Sequence, residues 1–326
     1  VKPPHLVGVA AGLALLLSGC GGTGATTDQD VPDSFPLTLV NCGVEVTLEA
    51  PPERVVLLKS APVPYLDALG VLDQVVVARA GAYPPEYYSP QTQAALEAIP
   101  LLTDRLDPSG HLQISREVVI AQEPDLVLGA VDNLNHETLA SVGIPLLEEP
   151  ALCPGEVGEP TFADVAEQMR TYGKIFDRPE QGEQAAKEFE DRLAEISTRV
   201  AADEQRTAAV LYPTVGGGTT YAYGTRSMAH PQLEAAGFTN VFADVDERVF
   251  EVSREELIGR NPDVLILLYS DGDPAAVEAA VTSMGGVEAI TAVANGDILV
   301  QLFNFTEPAT PLALDGLANI VEAFTS

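Results

Sequence analysis

Ser115-Arg116-Glu117, followed by Pro124-Asp125-Leu126-Val127-Leu128, returns in the second half of the chain as Ser253-Arg254-Glu255, followed by Pro262-Asp263-Val264-Leu265-Ile266. The spacing from Ser to Pro is the same in both copies. Each Ser stands where it can cap a short helix. Each Pro-Asp ends that helix and opens a short apolar run, the mark of a strand buried on both faces. Such a joint is also a common helix-to-strand connection, in which acidic residues near a helix start merely offset its dipole. Its return at matched positions points to a chain built from two similar halves.

Outward from the first copy, strands are expected at Arg54–Leu58, Val75–Ala78 and Asp125–Leu128, and helices at Tyr65–Leu69, Ile114–Gln122 and His136–Val142. Around the second copy, strands are expected at Thr207–Tyr212, Asp263–Leu268 and Asp297–Gln301. Helices are expected there at Met228–Ala236, Glu255–Arg260 and Leu314–Phe324. Strand and helix in alternation predict a parallel, doubly wound α/β sheet. Between the halves, residues 161–200 are rich in charged helix formers, broken at Asp177-Arg178-Pro179. Two helices follow, near 161–176 and 179–202, the second serving as a connector. No heptad is sustained long enough for a coiled coil. The expected organisation is an N-terminal lobe over 35–178, a connecting helix over 179–202 and a C-terminal lobe over 203–326.

The 326 residues are too many for one ordinary core and about right for two. Aspartate and glutamate number 48 against 17 lysines and arginines, a formal net charge of −31. That surface repels nucleic acid and anionic lipid. Partners are expected among small molecules and basic protein surfaces.

Leu6 to Leu17 is an apolar run too short to span a bilayer, which needs about 20 residues, and of the length of a secretory signal core. It ends at Leu17-Ser18-Gly19-Cys20, which is similar to the lipobox of bacterial lipoproteins. The expectation is a signal peptide over 1–19, lipidation at Cys20 and a Gly-rich tether over 20–34, leaving lipid as the only contact with the membrane. An ordinary secretion signal with an incidental Cys is the alternative. Cys42 and Cys153 remain. In an oxidising compartment they are expected to bond, closing a loop worth roughly 4–5 kcal/mol on the chain-entropy model; two free thiols is the alternative.

The motifs of catalysis are missing. The sequence has no phosphate loop, no His-Glu-x-x-His and no Gly-x-Ser-x-Gly. Gly216-Gly217-Gly218 lacks dinucleotide spacing and reads as a loop after a strand. With His5 in the signal, His111, His136 and His230 are too scattered for a protein-caged zinc or manganese. No enzyme and no metal site are expected. What remains lies at the expected C-terminal ends of strands, where open α/β sheets bind ligands. Lys59, Arg79, Tyr83, Arg105, Tyr212, Tyr221, Tyr223, Arg226, Tyr269, Phe303 and Phe305 are the candidate ligand contacts, with Tyr87 and Tyr88 close behind Tyr83. Tyrosine and arginine also favour loops for ordinary reasons, so about half of these are expected to face a ligand.

Together these features resemble the helical-backbone class of ABC-transporter substrate-binding proteins, the ferric-siderophore and cobalamin receptors of bacterial uptake systems. The resemblance runs from about residue 37 to the end. It rests on the lipobox, on Pro52-Glu53-Arg54-Val55-Val56, on Ala68-Leu69-Gly70-Val71, on both repeated joints, and on Ala236-Gly237-Phe238-Thr239-Asn240-Val241-Phe242. It is closest to actinobacterial iron-siderophore lipoproteins, which share the pair Cys42 and Cys153. It implies a periplasmic-binding-protein-like fold, with two Rossmann-like lobes joined by a single long α-helix and the ligand between them. It implies that Glu117 and Glu255 dock onto arginines of an ABC permease, whose cytoplasmic ATPase is engaged only indirectly. The implied ligand is a ferric siderophore, a small-molecule chelate that itself holds the iron, at the extracytoplasmic face of the cell membrane. Cobalamin or haem is the alternative ligand; a zinc or manganese receptor and an exported enzyme are less favoured.

Overall fold

The structure, a computed structural model, describes residues 1–2, 31–106, 112–155, 158–200 and 206–324. The expected signal segment with Cys20, and also His5 and His111, lie outside the described residues.

The first half opens with strands β1 (Leu37–Asn41) and β2 (Val44–Leu48), an antiparallel hairpin absent from the expected pattern. Its turn is Cys42-Gly43, at φ 51° and 77°, and Gly43 takes that left-handed conformation without a Cβ penalty. Next come β3 (Val55–Leu57), β4 (Val76–Arg79), β5 (Leu126–Leu128) and β6 (Leu146–Leu147). They form a parallel sheet of order β4-β3-β5-β6.

The second half holds β7 (Thr207–Pro213), β8 (Thr220–Tyr223), β9 (Thr239–Asn240), β10 (Val249–Val252), β11 (Val264–Tyr269) and β12 (Ile298–Leu302). Their order is β10-β8-β7-β11-β12, with β9 also on β7. Here the expectation of a purely parallel sheet is corrected. β7, β11 and β12 are parallel, but β8 and β10 run antiparallel. The reason is the Gly216-Gly217-Gly218 loop, at φ 87°, 97° and 142°, which folds β8 straight back on β7.

The repeat is structural, and its aspartates do the same work twice. Asp125 accepts the backbone N–H groups of Glu53 and Arg54 at 2.8 and 2.9 Å, at the entry to β3. Asp263 accepts the Thr207 N–H at 2.8 Å, at the entry to β7. Each carboxylate, one residue ahead of its own strand, thus ties that strand to the entry of its parallel neighbour, giving Val55 opposite Leu126 and Ala208 opposite Val264. The residue before each Pro, Glu123 or Asn261, is left-handed at φ 50° or 47°. The Ser caps differ: Ser253 accepts the Glu256 N–H at 3.1 Å, whereas Ser115 holds the cap position without a cap bond from its side chain.

Two separate cores are not what forms. One apolar cluster joins Val55, Leu57, Leu126 and Leu128 of the first sheet to Val210, Ile266 and Leu268 of the second. The bridge is made by helices Phe162–Ile175 and Leu312–Phe324, each apolar on the side turned inward. Smaller clusters cover the far face of each sheet. The connecting helix runs Pro179–Ser197, ending earlier than expected from the sequence.

This helix crosses Phe162–Ile175 at two glycines. A Cβ on Gly182 would lie 2.9 Å from the Met169 carbonyl oxygen and from the Gly173 Cα, both backbone atoms that cannot step aside. Gly182→Ala is therefore expected to lower stability by about 1–3 kcal/mol despite the better helix propensity of alanine. Gly259, in helix Arg254–Arg260, has nothing within 4 Å, so Gly259→Ala is the control and is expected to be neutral or stabilising. Urea unfolding of the two variants measures the opposite signs.

Candidate functional site

The C-terminal ends of the parallel strands in both sheets open on one cavity of about 670 Å³, inside the usual range of roughly 300–1,000 Å³ for ligand sites. β3 delivers Lys59 and Ser60, β4 delivers Gly81 and Ala82, and β5 delivers Ala130 to Asp132. β6 delivers Glu148, β11 delivers Ser270, and β12 delivers Phe303 and Asn304. Tyr87 comes from the short turn Pro85–Tyr87.

One flank is bridged between the sheets. The Asn304 backbone N–H donates to the Tyr87 hydroxyl at 2.9 Å, and its side-chain amide donates to Ser60 Oγ at 3.1 Å. The Tyr87 ring meets Phe305 edge-on at 5.2 Å. Burial raises the Tyr87 hydroxyl pKa, so it stays a neutral phenol.

The opposite flank is charged. Lys59 Nζ lies 2.5 Å from Glu148 Oε2, and the Glu148 side chain is only 3% exposed. Glu148 also accepts the N–H groups of Ala130 and Glu149 at 3.0 and 2.9 Å. Asn41, on the β1–β2 hairpin, clamps the Glu148 backbone from both sides, donating to its carbonyl and accepting its N–H at 2.8 Å each. Beyond the hairpin turn, Cys42 is joined to Cys153 with Cα atoms 5.0 Å apart.

The candidate contacts divide. Lys59 and Phe303 line the cavity. Phe305 supports Tyr87, and Tyr212 stacks edge-on to Phe303 at 5.8 Å while its hydroxyl donates to Ser270 Oγ at 3.1 Å. Tyr269 packs into the same aromatic group. The others do not line it. Arg79 is turned aside, donating to the Leu96 carbonyl at 2.9 Å with its guanidinium 5.0 Å from the Tyr83 ring centre. Tyr83 donates to the Ala80 carbonyl at 3.1 Å, behind the wall. Tyr223 is in the core, because antiparallel β8 carries it back opposite the middle of β7. Tyr221 is exposed on β8, and Arg105 is exposed in the loop before Leu106. Arg226 forms a two-pronged pair with Asp246 at 2.7 and 2.9 Å, in an adjoining hollow of about 380 Å³. His136 shares a hydrogen bond with Asn41 at 3.0 Å, and His230 sits 3.6 Å from Glu234.

Sequence reasoning missed Glu148 and its neighbour. Two acids directly after the buried run Leu146-Leu147 were the available signal. Glu149 is 2% exposed, and burial pushes its carboxyl up to about 7, against a hydrogen bond from the Tyr172 hydroxyl at 2.6 Å. Its folded value exceeds its unfolded value near 4.5, so the folded state binds the extra proton. Stability is then lost as pH rises from about 4.5 through 7, by about 3 kcal/mol in all. Glu149→Gln keeps the acceptor for Tyr172 and removes the titration. It is expected to gain about 3 kcal/mol on the wild type between pH 4 and pH 8, read from urea midpoints at the two values.

Glu117 and Glu255 lie in the first turns of the two repeated helices, both exposed. The Glu117 carboxyl is held below its usual value by its own backbone N–H and by Ser115. Glu255 is lowered first by Arg254 and then by its own N–H. Both are ionised at any physiological pH.

The profile of a family described as periplasmic binding protein matches residues 55–301. The crystal structure of an ABC-type Fe3+-hydroxamate transport system from Saccharomonospora viridis is 59% identical to this chain, covers 90% of it and 100% of its own chain, and superposes with a TM-score of 0.84. A cobalamin-binding protein of Halobacterium salinarum is 27% identical over 306 residues, 91% of this chain and 76% of its own. The periplasmic vitamin B12 binding protein of Vibrio cholerae is 19% identical, covers 84% of this chain and 96% of its own, and shares the fold at a TM-score of 0.60.

Proposed function

Because the chain belongs to the periplasmic binding protein family, we propose that it is an extracytoplasmic solute receptor that captures a ferric siderophore of hydroxamate type and hands it to an ABC permease. The observation that carries this reading is the cavity between the strand ends of the two sheets, walled by Tyr87 and Phe303 and edged by the amide of Asn304. A ferric hydroxamate is a bulky, amide-rich chelate. Aromatic walls cover its apolar surface, and a few polar groups such as Ser60 and Asn304 orient it. The chelator supplies every ligand to the iron, so the protein needs no metal cage. The relative from Saccharomonospora viridis supports this ligand class.

Delivery is assigned to Glu117 and Glu255, one on each half, as contacts for basic permease residues. Lipidation at Cys20 holds the receptor at the outer face of the membrane, with the following residues as tether. Among the described residues, no helix is long and apolar enough to cross a membrane. A second reading, cobalamin as ligand, is favoured by the relative from Halobacterium salinarum.

The chain has 9 tyrosines and no tryptophan, so tyrosine fluorescence reports binding. Titration with a ferric tris-hydroxamate is expected to quench it saturably. No quenching by any ferric chelate, together with a clear thermal shift by cobalamin, overturns the siderophore reading.

A further inference from the structure

We infer that the Lys59–Glu148 pair sets the charge class of the ligand, so that the cavity accepts neutral or cationic ferric chelates and rejects trianionic ones. The inference rests on the receptor reading above and assigns the specificity to named groups. Among the described lining residues, Lys59 is the one cation, set against the carboxylates of Glu148 and Asp132. Its charge is already taken up. The Lys59 stem lies against Gly129, where a Cβ would come within 3.0 Å of Lys59 Cγ, and the ammonium ends 2.5 Å from Glu148 Oε2. Glu148 is locked in turn by two backbone N–H groups, so it does not swing away to free the ammonium.

The two guanidinium groups of the adjoining hollow repeat the pattern. In that hollow, which shares Leu152 with the cavity, Arg226 is paired with Asp246 and Arg248 with Glu307. A ferric ion bound by three hydroxamates is neutral, and bound by three catecholates it carries three negative charges. A cavity whose lining sums to one negative charge, on a chain of net −31, opposes the trianion and tolerates the neutral complex.

The test compares ferrichrome, a neutral ferric tris-hydroxamate, with ferric enterobactin, a trianionic tris-catecholate, by tyrosine quenching at low salt. The wild type is expected to prefer the neutral complex by about 100-fold or more. Glu148→Gln frees the ammonium and is expected to narrow that ratio by about tenfold, through a gain on the trianion that fades with added salt. The double variant Glu148→Gln with Lys59→Gln restores the net charge of the wild-type lining, and the ratio should return, which a merely structural role for Glu148 would not produce. If Glu148→Gln does not fold, Lys59→Gln alone is expected to widen the ratio. A wild type that binds neither chelate refutes the siderophore reading and this inference with it. A wild type that binds ferrichrome, with a ratio unmoved by Glu148→Gln or, failing its folding, by Lys59→Gln, overturns the charge-selection inference alone.

Discussion

Glu307→Ala is expected to destabilise the protein by about 3–5 kcal/mol, because it breaks a buried ion pair and leaves its partners without acceptors. Glu307 is 1% exposed. One carboxylate oxygen accepts the Ser227 hydroxyl at 2.6 Å and the Met228 N–H at 2.7 Å. The other accepts Arg248 Nε at 2.8 Å and Nη2 at 2.7 Å. Alanine strands a hydroxyl, an amide and a guanidinium together. The damage reaches the cavity, since Glu307 lies just past the turn Phe303–Phe305, to which its backbone N–H is bonded at 2.9 Å, and without the side-chain anchors to Ser227, Met228 and Arg248 the segment that carries this turn is held less firmly. That turn is also held by Gln232, whose amide donates to the Phe305 carbonyl at 2.7 Å. Gly316 lets the closing helix approach it, since any Cβ there would overlap the Phe305 carbonyl. Weaker ligand binding should therefore accompany the lost stability. Glu307→Gln keeps one acceptor oxygen and the side-chain volume, and is expected to fall between the wild type and alanine. Urea midpoints and ligand titration on the same samples measure both effects. An alanine variant within about 1 kcal/mol of the wild type would refute the account of the network.

How much of this was legible depends on the reach of each interaction. β3, β5, β7 and β11 were readable because strands covered on both faces are continuous apolar runs, and the repeated joint marks two of them. The β1–β2 hairpin and the strands β8 and β10 carry broken or half-exposed patterns, which a search for buried runs passes over. The shared core was not legible either. An amphipathic helix such as Leu312–Phe324 announces an inward face but not which sheets that face will meet. The site was half legible for the same reason. Strand order placed Lys59 and Phe303 at the cavity, yet what an arginine does depends on a partner far along the chain. Arg79 is turned to Leu96, Arg226 to Asp246 and Arg248 to Glu307. Glu148 was illegible for the same reason, since its partner Lys59 lies 89 positions away, and the acid that cancels the lining lysine is as informative as the lysine.

Removing both Glu117 and Glu255 as alanines is expected to cut uptake roughly tenfold or more while ligand affinity stays within about twofold of the wild type. The two carboxylates occupy equivalent first turns of the duplicated helix-to-strand joints, one per half. Both are exposed, and both titrate below their usual value, so each presents a full negative charge to a basic partner. Neither residue lines the cavity. Glu255 already engages Arg254, a surface contact that a permease arginine can exchange for its own. Because the joints are tied to the sheets through Asp125 and Asp263, the distance between the two charges follows the arrangement of the halves. A permease reading both at once therefore reads that arrangement, and either single variant should lose less than the double. Reconstituted transport separates this from a binding defect: normal titration with impaired uptake supports docking, whereas unchanged uptake in the double variant removes the role from both residues. Raising the salt concentration should weaken delivery by the wild type more than by the double variant, since the charges being screened are those that the variant has already lost.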